Sequence, residues 1–308
     1  MRVFGKPDDA LKPMLLPSEA LPSCLLNPIP QAVRYLQPLR FGNLQPHLLA
    51  ASDGHLYVTK FQNNPQGLRV LASEMIATRI ALWLDLPMAH VCPIEVSESL
   101  VAQNPLLRIE CESSSVPCSS GIQLGSRCVA HPDTLLNFDD LNSAQVESVN
   151  NLDEFTQVLV FDRWAGNCDG RQAVVPRSLR RKHQGCAATF IDQHYCFNGQ
   201  AWDFPDLPHT GLCPKSSVYR NVRGWESFEP MLSRLEAVDA TDLWRLARET
   251  PAQWYEDNHG ALSELIDTLD KRRSMVSRLI QESRNSCDAP FTNWTRSAFA
   301  FARPGIAG

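Results

Sequence analysis

No stretch of the 308-residue chain reaches the roughly 18 consecutive apolar residues of a membrane-spanning helix, so no such helix is expected and the membrane is not an expected partner. A basic excess is also missing. Twenty-nine lysines and arginines face 34 acidic residues, a net charge of −5, without the positive surplus that drives salt-dependent binding to phosphate backbones; direct nucleic-acid binding is not expected. The ten cysteines include no CxxC pair and lie too far apart for a disulfide framework or a zinc ribbon, which favours free thiols. The first 30 residues carry Arg2, Lys6, Asp8 and Asp9 and are interrupted by Pro7, Pro13, Pro17, Pro22, Pro28 and Pro30. They read as a proline-rich arm with no apolar signal core, and a cytoplasmic protein is the expectation. Lysine is scarce: there are only six.

What is present is 44% hydrophobic residues, enough for a sizeable core, in a length that suggests two lobes. Short β-favouring runs at His47–Ala51 and Leu56–Phe61 flank Asp53-Gly54, so a hairpin is predicted, with Leu56, Val58 and Lys60 on one face of its second strand. Apolar spacing predicts a helix over 69–84 that contains Glu74, and Val91–Val96 reads as a strand. Residues 110–126, with serines at 113–115 and 119–120, read as a polar loop separating the lobes. Asn151 followed by Glu154 has the pattern of a capping box, opening a helix over 152–165 that Gly166 terminates. The runs 173–175 and 187–192 suggest a second hairpin, and helices are predicted over 228–238, 242–249 and 261–283.

Four charged residues stand out. Lys60 lies in an apolar strand, and Glu74 in the following helix can pair with it to position phosphates. The plainer alternative is an edge-strand lysine, with Glu74 on the surface beside Arg79. Asp169 follows the 152–165 helix in a compact polar loop, and Asp192 ends the run Phe190-Ile191-Asp192-Gln193. Phosphoryl transfer needs one carboxylate to orient or deprotonate the attacking hydroxyl and another to hold a metal; each aspartate also has an ordinary role, as a turn residue or a strand stop.

In this order, and in the strings Leu56-Tyr57-Val58-Thr59-Lys60-Phe61-Gln62-Asn63-Asn64-Pro65 and Phe161-Asp162-Arg163-Trp164-Ala165-Gly166-Asn167-Cys168-Asp169-Gly170-Arg171-Gln172, the chain resembles the HipA-like kinases. The resemblance implies an α+β, bilobal protein-kinase-like fold: a small β-rich N-lobe with one helix (31–130), a larger, mostly helical C-lobe (131–284), and a tail (285–308). It also implies ATP and Mg²⁺ as cofactors and transfer to a serine or threonine hydroxyl of a protein. Lys60 would bind phosphates, Glu74 orient Lys60, Asp169 act as base and Asp192 ligate the metal. Gly42, Asn43 and Gln45 would lie near the phosphates, although the turn 42–46 has a single glycine.

The chain departs from the family pattern in two places. The position five residues after Asp169, usually a metal-binding asparagine, is Val174, and Arg171 stands where histidine is more usual. Gln172 offers an amide oxygen as a substitute ligand. An inactive member that serves as a protein-binding regulatory module, and a small-molecule or lipid kinase, are therefore the alternative readings. The serine-rich loop 113–120 is a candidate for phosphorylation. Arg177, Arg180, Arg181 and Lys182 read as a solvated hairpin tip, and the aromatic residues between Phe197 and Phe228 as a seal for the large lobe.

Overall fold

The computed structural model describes residues 28–39, 42–177 and 186–294. Most of the proline-rich arm, the positions Arg180 to Lys182 and the last part of the tail lie outside the described residues.

The first half of the chain builds β1 (Ala32–Pro38), β2 (His47–Ala51), β3 (Leu56–Lys60), α1 (Arg69–Trp83), β4 (Val91–Val96), α2 (Glu98–Gln103), β5 (Arg108–Glu110), β6 (Ser115–Pro117) and β7 (Gly121–Arg127). Five of the strands form an antiparallel sheet in the order β1-β2-β3-β7-β4, while β5 and β6 pair as a separate hairpin. The Asp53-Gly54 turn joins β2 to β3, with Gly54 at φ +81°, where its missing Cβ removes the steric penalty.

Strand β7 corrects the expected loop over 110–126. It is an inner strand, paired with β3 on one side and β4 on the other, and Lys60 lies opposite Leu124. Its polar composition hides it in the sequence, because what favours the extended form is hydrogen bonding on both edges and packing of the buried Gln123 and Leu124. Gly125 is required by the neighbours: a Cβ there would come within 2.9 Å of the Tyr57 ring. The correction also removes the edge-strand reading of Lys60, since β3 lies between β2 and β7.

The second half contains β8 (Leu135–Asn137), α3 (Ser143–Glu147), α4 (Glu154–Ala165), β9 (Gln172–Pro176), β10 (Thr189–Ile191), α5 (Glu229–Glu236), α6 (Ala240–Ala247), α7 (His259–Arg272) and α8 (Val276–Arg284). The expected hairpin of β9 and β10 is present, widened by β8 into a three-stranded sheet. Gly166 ends α4 in the left-handed conformation, as its position suggested. The expected capping box does not form. Asn151 instead pairs with the backbone of Ala188, donating to its carbonyl at 2.9 Å and accepting its N–H at 2.7 Å, and so ties the start of α4 to the β10 arm. The capping box lies one helix earlier, between Asn142 and Gln145 at the start of α3.

One core cluster spans both halves. Helix α1 is buried from Val70 to Ala81, packed on β4 and on α6, and so joins the sheet to the helical part without an exposed polar face. Phe197, Tyr219 and Phe228 are buried in the same cluster, in the sealing role expected of the aromatic segment.

Candidate active site

Strand alternation turns Lys60 into the interior at the end of β3, where its ammonium Nζ lies 2.5 Å from Glu74 Oε2 and 2.5 Å from Asp192 Oδ1. The lysine and glutamate side chains are 7% and 1% exposed, so these are dry, charge-assisted contacts. Burial alone would depress the Lys60 ammonium, but Asp192 and Glu74 outweigh it and raise its pKa above the ordinary lysine value. Arg79, the alternative partner for Glu74, is salt-bridged to Glu249.

Helix α1 also anchors the loop that carries Asp192. Ser73 Oγ donates to the Gly199 carbonyl at 2.6 Å, and Thr78 Oγ1 donates to Gln193 Oε1 at 3.2 Å. Asp192 has φ +68°, an uncommon conformation for a residue with a Cβ. His194, absent from the sequence-based site, donates from Nδ1 to the same Asp192 Oδ1, which leaves Oδ2 for a further ligand. Burial alone would raise the Asp192 carboxyl, but Lys60 and His194 hold it well below the usual range. The charged carboxylate therefore stabilises the fold above the unfolded-state pKa near 3.8 and ceases to do so as pH falls toward the lower folded-state value. We expect the stability difference between wild type and Asp192→Asn, from urea unfolding, to narrow below pH 4 by up to about 1.4 kcal/mol per pH unit. A difference that stays constant between pH 7 and pH 3 would contradict the assignment.

These groups form one wall of a cavity of about 250 Å³, which Gly42 and Asn43 line on the turn side and Gln172 on the β9 side. Gln172 lies opposite Ile191, the residue before Asp192. Asn137, Asp139 and Asp140 line the same cavity, although nothing in their local sequence marks them. A second compartment of about 290 Å³ adjoins it through the shared Val58, Ser126, Asn137, Asp140 and Ile191, and is lined by Leu39, Leu136 and Val174 on one hand and by Arg127, Asp133 and Arg177 on the other. Position 174 thus lines the second compartment, while the β9 residue that lines the Lys60 compartment with an amide is Gln172.

Two sequence-based assignments differ from the observed arrangement. Gln45 does not line the cavity: its side-chain amide is hydrogen-bonded to the backbone of Glu110, at 2.7 Å in each direction. Asp169 lines neither compartment. It is half-buried in the loop after α4, where its Oδ1 accepts the Gly170 N–H at 2.8 Å.

Beneath that loop Arg171 forms a fully buried ion pair with Asp162 of α4, through Nε to Oδ2 at 2.8 Å and Nη2 to Oδ1. Its Nη1 donates to the Ile191 carbonyl at 3.2 Å, linking the Asp169 loop to the residue preceding Asp192. Residues nine apart show no common face in a sequence, so this pair had no local signature.

Among the described residues, Glu74, Asp192 and His194 form the one group of three ligand-type side chains with donor atoms within 4.8 Å of one another. Asp192 and Gln172 present hard oxygen donors on the cavity wall, with Asn137, Asp139 and Asp140 on the same lining, a set that suits Mg²⁺. None of the nine described cysteines is in a disulfide, and none of the described helices is long and apolar enough to cross a membrane.

Comparison with known proteins supports the resemblance: residues 32–176 match the sequence model of the HipA-like kinases. The proinflammatory kinase CtkA of Helicobacter pylori has a similar structure, with a TM-score of 0.52 and 14% identity over 81% of this chain and 95% of that one. The Golgi casein kinase aligns with a TM-score of 0.50 and 9% identity over 84% of this chain and 74% of that one. No curated protein matches. The α+β fold is thus one that kinases adopt.

Proposed function

We propose that this chain, with its HipA-like kinase sequence and kinase fold, is an ATP- and Mg²⁺-dependent kinase acting on a serine or threonine hydroxyl of a protein. The observation that carries the reading is the buried Lys60 ammonium held between Glu74 and Asp192, on the wall of a cavity that adjoins a second compartment. Leu39, Leu136 and Val174 in the second compartment offer apolar surface to a nucleotide base, and the Lys60 compartment takes its phosphates, with Lys60 as the phosphate-binding cation oriented by Glu74.

Asp192 Oδ2 and the Gln172 amide oxygen would hold Mg²⁺, whose contribution when bound is to neutralise phosphate charge. Val174 fits this scheme as part of the base compartment, and the second family ligand is replaced by Gln172 together with Asn137, Asp139 or Asp140. Asp169 is assigned as the base that orients or accepts the proton of the attacking hydroxyl, an assignment carried by its place in the family motif. In the structure it lies outside both compartments, so the protein substrate must reach it from the loop side.

Calorimetric titration of Mg·ATP into the purified chain tests the nucleotide site without requiring the acceptor. Micromolar binding, about −8 kcal/mol, is expected, and no binding to the folded protein would overturn the reading. Asp169→Ala should retain that binding and lower phosphoryl transfer by about 10²- to 10⁴-fold. Near-normal turnover would place the base elsewhere. Binding without transfer to any protein would favour the regulatory, protein-binding alternative.

A further inference from the structure

Gln45 has two unusual features. Its φ of +49° lies in the left-handed region, which residues with a Cβ seldom occupy, and its side chain makes a reciprocal pair of hydrogen bonds with a single backbone unit. Nε2 donates to the Glu110 carbonyl and Oε1 accepts the Glu110 N–H, each at 2.7 Å. Glu110 is the last residue of β5, remote in sequence, and belongs to the small hairpin that ends at the serine-rich loop. The hairpin is itself braced: Arg108 Nε donates to Ser115 Oγ at 2.9 Å, and Ser115 Oγ donates to Glu110 Oε1 at 3.0 Å. His47, just past the turn, makes a second tie to it through Nε2 and the Arg108 carbonyl at 2.9 Å.

The residues on either side of Gln45 are those that face the cavity. Gly42, Asn43, Leu44 and Pro46 all line the Lys60 compartment, whereas Gln45 points away to the hairpin. Within the turn, the Gln45 N–H to Gly42 carbonyl contact is long, at 3.4 Å. With one glycine, the turn cannot rely on a continuous nest of backbone N–H groups, so its shape depends on what holds it from outside.

We propose that Gln45 is a positioning residue: by clamping the 42–46 turn to the β5–β6 hairpin it pre-organises the phosphate side of the cavity and sets nucleotide affinity. This rests on the nucleotide reading above. A held turn spares a bound nucleotide the ordering cost, and loss of the clamp returns that cost as weaker binding.

The test compares Mg·ATP affinity and melting temperature in the full chain for wild type, Gln45→Ala, Gln45→Gly, Gln45→Glu and Glu110→Gln. Gln45→Ala and Gln45→Gly should each raise Kd about tenfold, the equivalent of about 1.4 kcal/mol, with amide exchange accelerated over 42–47 and the melting temperature little changed. The glycine variant separates clamp from strain, because it accepts the positive φ and weakens binding only if the amide matters. Gln45→Glu keeps one of the two hydrogen bonds and should be intermediate, while Glu110→Gln leaves the backbone partner intact and should match wild type. Wild-type affinity in Gln45→Ala and Gln45→Gly would overturn the clamp. Failure of the wild-type chain itself to bind Mg·ATP would instead overturn the nucleotide reading, and this role with it.

Discussion

Lys60→Met is expected to lower phosphoryl transfer by about 10³-fold or more and to destabilise the folded chain. Among the described residues, Lys60 is the hydrogen-bonded ion-pair partner of Glu74, and Asp192 accepts from Lys60 and His194. Methionine fills much of the lysine volume but leaves Glu74, at 1% exposure, as a buried carboxylate without a partner, which typically costs about 3–5 kcal/mol. The prediction is thus twofold, a fall in melting temperature and a loss of Mg·ATP binding. Lys60→Met/Glu74→Leu separates the two effects. Removing both charges should restore much of the stability without restoring transfer. Transfer near the wild-type rate in either variant would exclude Lys60 from the phosphate site.

The second large effect is expected at Arg171, a residue that contributes no atom to either compartment. Among the described residues, Arg171→Leu leaves the Asp162 carboxylate with one hydrogen bond, from the Asn167 side-chain amide at 3.1 Å, and that carboxylate is fully enclosed. A loss of about 3–5 kcal/mol is expected in denaturant unfolding, since a buried carboxylate is left almost unpaired. Arg171→Leu/Asp162→Leu should recover most of it, because replacing a whole buried ion pair by packed apolar side chains is often close to neutral. Recovery of stability should not be recovery of function. The double variant still lacks the hydrogen bond to the Ile191 carbonyl, so the Asp192 turn loses one of its restraints and turnover should stay depressed. A loss of less than about 1 kcal/mol in Arg171→Leu would mean that water or another group satisfies Asp162.

His194 shows how closely the local sequence came to the site. It lies two residues from Asp192 and its ring is 4% exposed, yet a histidine after a strand carries no distinguishing pattern. Only the fold brings its Nδ1 onto the aspartate. Asn137, Asp139 and Asp140 are a similar case: Asn137 ends the short strand β8 and the two aspartates follow it, and a three-residue strand is too brief for periodicity to show. Gln45 is the opposite case. Its place in the turn suggested a ligand contact, and the backbone twist at φ +49° turns the side chain to the hairpin instead.

The sequence by itself determined the elements whose signals are local. Period-two alternation with Asp53-Gly54 specified the β2–β3 hairpin, helical spacing specified α1, and Gly166 marked the end of α4, because each depends on residues adjacent along the chain. It also supplied Lys60, Glu74 and Asp192 in an order that resembles a kinase. The tertiary structure decided what depends on partners distant in the chain. It made β7 an inner strand through hydrogen bonds on both edges, drew Asn151 from its helix cap to Ala188, and joined Asp162 to Arg171 in a dry interior. It also placed Val174 in the compartment beside the Lys60 cavity. Burial and long-range pairing set these outcomes, and neither is a property of a residue and its sequence neighbours alone.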